Sequence, residues 1–136
     1  MRSHKILEHT ADLRLLCEGS TLEDLFTAAF EGMSEIIKKE YDDSQQGVKK
    51  EIKLAAADET ALLIDFLSEV LTQSHVNRAV FINLKIKKIK STEIDAEIYG
   101  YKSDGFDEDI KAVTYHEAQI RKNIEGNLET IIVFDI

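Results

Sequence analysis

Apolar residues recur at three- and four-residue steps through Leu22, Leu25, Phe26, Ala29, Phe30, Met33, Ile36 and Ile37, which places them on one face of a helix. Ser20 with Glu23 three positions on reads as a capping box at its start. The helix is expected to run to about Lys39, and the polar stretch 41–47 reads as a loop. A second helix opens at Asp58, a good N-cap, and carries Leu62, Leu63, Phe66, Leu67, Val70 and Leu71 to an end near Asn77. Elsewhere apolar and polar positions alternate, as in strands. The inward sets are Ala11, Leu13, Leu15 and Cys17; Ile52, Leu54 and Ala56; Val80, Ile82, Leu84 and Ile86; and Thr92, Ile94, Ala96 and Ile98. A last pair of strands is expected over 112–122 and 128–136. Short loops between strands mean hairpins, so the sheet should be largely antiparallel. The predicted fold class is α+β: a two-layer sandwich with two helices packed on one face of that sheet.

Composition narrows the function classes. The 136 residues fit a single domain, 1–136, and 43% apolar content is enough for a core. One cysteine excludes an intramolecular disulfide and a zinc site built on several cysteines. The start, Met1-Arg2-Ser3-His4-Lys5, lacks the apolar stretch of a signal peptide, and no run is long enough for a membrane span. A reducing, cytoplasmic setting is expected. Seventeen basic against 26 acidic side chains give a net charge of −9. A protein that grips nucleic acid by itself shows a basic footprint, so a cation or a basic protein surface suits this chain better.

Most charged runs have a plain reading. Lys85, Lys87, Lys88 and Lys90 could hold phosphate, but a loop around Lys90 would set Lys87 against Glu93 and Lys85 against Asp95, with Ile86 facing Ile94. Opposite charges paired across strands favour a solvated face. Asp104, Asp107, Glu108 and Asp109 surround Gly105 without the ligand spacing of an EF-hand, and read as a solvated loop. Cys17, inward on its strand, reads as a small buried hydrophobe.

Three segments place polar groups where a core strand does not need them: His9-Thr10-Ala11-Asp12, Lys111-Ala112-Val113-Thr114-Tyr115-His116 and Val133-Phe134-Asp135-Ile136. The last brings the α-carboxylate of Ile136 beside Asp135. These two negative groups repel, and a hard divalent cation would offset the repulsion; the plain alternative is an exposed pair in water. If Glu125-Gly126 forms a two-residue hairpin turn, Ile124 pairs with Asn127 and His116 stands opposite Asp135.

These motifs, with Gly19-Ser20-Thr21-Leu22-Glu23-Asp24-Leu25-Phe26 and Asp65-Phe66-Leu67-Ser68-Glu69-Val70-Leu71, resemble the archease family in the same order and over nearly the whole chain. The resemblance implies an accessory protein of the RtcB-type RNA ligase, which joins RNA ends in tRNA splicing and repair. Such a protein promotes GTP-dependent guanylylation and multiple turnover of the ligase, is not itself an enzyme, and meets RNA only through the ligase. It also implies metal ligands at Asp12, Asp135 and Ile136, with calcium as the expected ion and magnesium or manganese as alternatives. Lys111 matches a lysine implicated in activation; His9 and His116 fall in the same motifs. Two rival readings follow from the residues. One is a metal-dependent phosphoester hydrolase with His116 as general base. The other is a metal-free, chaperone-like adaptor acting through its acidic surface.

Overall fold

The structure, a computed structural model, describes residues 1–8 and 12–136, with Glu8 described in its backbone alone. Helix α1 (Leu22–Ile37) buries the face its periodicity marks out. Its cap lies one residue later than expected. Thr21 is extended and accepts from the Asp24 backbone N–H at 3.1 Å. Ser20 is drawn off instead to the Asp24 carboxylate, at 2.7 Å. Helix α2 (Glu59–Asn77) starts at the expected cap, with Asp58 accepting from the Ala61 N–H at 2.8 Å. It ends at Arg78 in the left-handed conformation.

Eight strands complete the fold: β1 (Arg2–Glu8), β2 (Asp12–Gly19), β3 (Gly47–Ala55), β4 (Ala79–Lys90), β5 (Glu93–Lys102), β6 (Ala112–Thr114), β7 (Arg121–Lys122) and β8 (Leu128–Asp135). One sheet has the order β1-β2-β8-β6, with β7 also on β8; the other has the order β3-β5-β4. Every pairing among the described residues is antiparallel. Helix α1 packs on β1, β2, β4 and β8, and α2 on β3, β4, β5 and β6, so the two helices share one core with both sheets. Phe26, Phe30, Phe66, Phe81 and Phe134 are its largest fully buried side chains. The class is the α+β arrangement expected, two helices against a largely antiparallel multi-strand sheet.

Strand β1 was not legible in the hydrophobic pattern. Its polar side chains are held by α1 instead, through Arg2 to Glu31 at 2.8 Å and His4 to Glu35 at 2.8 Å.

The β4–β5 hairpin keeps the expected kind of pairing but not the expected register. Lys90 pairs with Glu93 across a turn at 91–92, and irregularities at Phe81/Asn83 and Ile86/Lys88 displace the rest. Ile86 therefore faces Ala96, and Lys85 faces Glu97. Glu97 is only 5% exposed. It accepts from Lys49 at 2.7 Å, Lys87 at 2.8 Å and the Tyr99 hydroxyl at 2.7 Å. The two ammonium groups and the phenol hold its carboxyl far below the ordinary range. Within the basic run Lys87 pairs with Glu51 and Glu97, and Lys88 with Glu93, across the sheet face. The acidic loop is also more than solvated charge. The Asp107 N–H donates to the Ile37 carbonyl at 2.8 Å, and its carboxylate accepts from the Lys39 N–H at 3.0 Å, closing the end of α1.

Candidate functional site

One end of the larger sheet gathers segments far apart in sequence. In the β2–β8 register Asp12 stands opposite Asp135, and Leu13 opposite Phe134. In the β6–β8 register Ala112 stands on the other side of Asp135. The Lys111 N–H donates to the Asp135 carbonyl at 2.7 Å, which fixes the backbone of that lysine at the same end. Phe134 and Ile110 are fully buried beneath, so the core anchors both neighbours of the site. Asp135 and Lys111 are exposed, and Asp12 is half-buried. Ile136 is half-buried and packs against the core. His9 lies outside the described residues.

The expected turn at Glu125-Gly126 is corrected. Asn127 is not paired with Ile124. The Asn123 N–H donates to the Asn127 carbonyl at 2.8 Å, and the Gly126 N–H to the Asn123 carbonyl at 3.0 Å. Gly126 takes φ +83°, the left-handed residue that a three-residue hairpin loop requires. The Asn123 side chain accepts from the Glu125 and Asn127 N–H groups, which further fixes the longer loop. That single-residue change moves the pairing to Lys122 with Leu128.

Between β6 and β7 the chain then leaves the ladder, and His116 is not opposite Asp135. His116 instead borders a cleft of about 370 Å³ together with Asp12, Arg14 and Glu117. Arg14 pairs with Glu117 at 2.8 Å. The Tyr115 hydroxyl donates to the Asp65 carboxylate of α2, and that bond raises the phenol above its ordinary value. Arg14, Asp65, Tyr115 and Glu117 had no assigned role in the sequence. Asp65 and Tyr115 lay in separate motifs, and spacing alone cannot join residues fifty positions apart.

The expected divalent ion is also corrected. Among the described residues no three His, Cys, Asp or Glu side chains come together as a metal-holding group. Asp12 and Asp135 meet as a pair. The side chains of the described residues therefore give no positive evidence for a bound ion. With His116 displaced from Asp135, the general base expected for a hydrolase is not set against that carboxylate either.

The archease protein family matches residues 4–136. The archease of Methanosarcina mazei is 31% identical over 140 residues, covering 97% of this chain and 95% of that protein. The archease of Pyrococcus abyssi is 31% identical over 144 residues and covers both chains fully. Two solved structures share the fold. The solution structure of a Methanobacterium thermoautotrophicum protein has a TM-score of 0.67 at 23% identity, over 98% of each chain. The crystal structure of a Thermotoga maritima archease, described as a possible chaperone, has a TM-score of 0.67 at 22% identity, over 97% of this chain and 96% of that one. The chain therefore belongs to the archease family, a membership that supports a general role alongside an RtcB-type RNA ligase.

Proposed function

We propose that this archease is a non-catalytic, cytoplasmic activator of an RtcB-type RNA ligase, promoting its GTP-dependent guanylylation and multiple turnover. The sheet end holding Asp12, Lys111, Asp135 and Ile136 is the surface that meets the ligase. The observation that carries this reading is the shared register, which sets Asp12 across from Asp135 and ties Lys111 to the same residue. Three segments that resemble functional motifs of one family thus converge on one end of one sheet.

The chemistry follows from the charges. Nucleotidyl transfer to a ligase develops negative charge on phosphates held by basic groups. Carboxylates at the tip of a protein of net charge −9 complement such a basic rim, which steers encounter and fixes orientation. Lys111, exposed and fixed through its backbone, brings one positive charge to the same place. RNA is reached only through the ligase, because the overall charge opposes unaided binding.

The test is transfer of label from GTP to the ligase with and without this protein, at one and at many turnovers. Stimulation in both regimes supports the reading. The description of the Thermotoga maritima relative as a possible chaperone suggests the rival adaptor role. Salt-sensitive binding to the ligase with no change in guanylylation would favour that rival.

A further inference from the structure

The two sheets turn different outer faces to solvent. On the smaller sheet β3 carries Lys49, Glu51 and Lys53 outward, opposite Tyr99, Glu97 and Asp95 of β5. Glu97 takes Lys49 and Lys87 there, and Glu51 also takes Lys87. That stretch is polar and satisfied by its own ion pairs.

The larger sheet differs. Leu15, Cys17, Ile132 and Phe134 point into the core, so strand alternation sends Arg14, Leu16, Ile131 and Val133 to the opposite face. The register lines these up: Leu16 stands against Ile131, Arg14 against Val133, and Leu7 of β1 against Arg14. None of Leu7, Leu16, Ile131 and Val133 joins the cluster that packs against the helices. Val133, 4% exposed, is the floor of this apolar island, and the half-buried Leu7, Leu16 and Ile131 are its surface. Polar groups around it are engaged with one another. Arg14 pairs with Glu117 at 2.8 Å, and Glu18 accepts from Asn123 at 2.5 Å and Asn127 at 3.0 Å. What the face offers a partner is therefore apolar area inside a polar rim, the anatomy of a protein–protein interface.

Continuity and size name the occupant. Asp12 lies two residues before Arg14 on β2, and Asp135 two beyond Val133 on β8, so the sheet end belongs to this same face. Two residues along a strand span about 7 Å, so a partner seated at that end reaches the island. Strands β2 and β8, eight residues each, with β1 beside them, cover on the order of 400 Å², below the roughly 800 Å² that each partner of a stable complex buries. The face alone is too small to hold a second copy of this chain, and it fits as one part of a contact that takes in the sheet end. We propose that the island of Leu7, Leu16, Ile131 and Val133 docks an apolar patch of the ligase, extending the contact made at the sheet end. This rests on the ligase reading above.

The experiment titrates the full-length protein into a ligase guanylylation assay and reads both the plateau and the half-maximal concentration. Leu16→Thr and Ile131→Thr each remove apolar surface, add no charge and keep a residue suited to strands. Each raises the half-maximal concentration about fivefold, while the plateau holds because Lys111, Asp12 and Asp135 remain. Lys85→Thr, on the outer face of the smaller sheet, leaves the curve unchanged. Hydroxyl-radical footprinting of the wild type reads the same face without any substitution: the ligase protects Leu16 and Ile131 from oxidation. Wild-type curves for both variants of the island, no protection of Leu16 and Ile131 in the ligase complex, or an equal loss in Lys85→Thr overturn this inference alone. So does a free protein that sediments as a dimer and becomes a monomer on Leu16→Thr, because the face then belongs to a second copy. A wild-type protein that neither binds nor stimulates the ligase overturns it together with the reading beneath it.

Discussion

Cys17 is fully enclosed on β2, and burial pushes its thiol up to about 12. The thiolate is the nucleophile, so the folded protein should resist iodoacetamide at pH 8 and react once unfolded. Mass spectrometry of native and denatured samples checks this; rapid native labelling would contradict it. Glu97 makes the opposite case. Its carboxyl is held below its ordinary value of 4.5 by Lys49, then Lys87 and Tyr99. A group whose folded value is depressed contributes stability above the unfolded value, and that contribution is lost as pH falls toward the folded one. Wild-type stability should therefore decline as pH drops below 4.5. Glu97→Gln should be less stable at pH 7 and decline less steeply in acid. Denaturant midpoints across that range decide the matter, and parallel profiles for the two proteins would contradict the assignment.

At the scale of elements, a close approach of backbones governs one hairpin. A Cβ on Gly100 would lie 2.0 Å from the Val80 carbonyl oxygen and 2.7 Å from Phe81 Cα. These atoms belong to the partner strand beside the irregularity at Phe81/Asn83, so they cannot swing aside as a side-chain tip would. Gly100→Ala should cost about 2–3 kcal/mol through forced backbone shifts, read as a lowered denaturation midpoint; an unchanged midpoint would contradict this packing. The elements also show what the sequence made legible. Both helices followed from periodicity and from Asp58, because burial of a stripe repeats locally. Asp12, Lys111 and Asp135 could be singled out by resemblance, and the register then brought them together. Strand β1 is not legible in the hydrophobic pattern because it is an edge strand of mostly polar residues, held by its backbone ladder to β2. The β6–β7 excursion leaves no mark in the alternation over 112–122, because its anchors, Asp65, Arg14, Thr60 and Thr130, come from elsewhere in the chain. The hairpin registers shifted because turn length and irregularities act on every residue beyond them, while alternation reports only the face.

For the whole molecule, the net charge of −9 is unevenly committed. Glu97, Glu51 and Glu93 are engaged by lysines on the smaller sheet, and Asp107 closes the end of α1. At the far sheet end Asp135 is exposed opposite Asp12, an arrangement that facing carboxylates do not favour. The direct test compares Asp135→Asn and Lys111→Ala with the wild type in ligase guanylylation. Asp135→Asn relieves the repulsion between the facing carboxylates, so its melting temperature should equal or exceed that of the wild type. Both variants should stimulate label transfer from GTP to the ligase about tenfold less than the wild type, a loss of about 1.4 kcal/mol in partner recognition. Full stimulation by both variants, with their folds intact, would contradict the assignment of this sheet end as the ligase-activating surface.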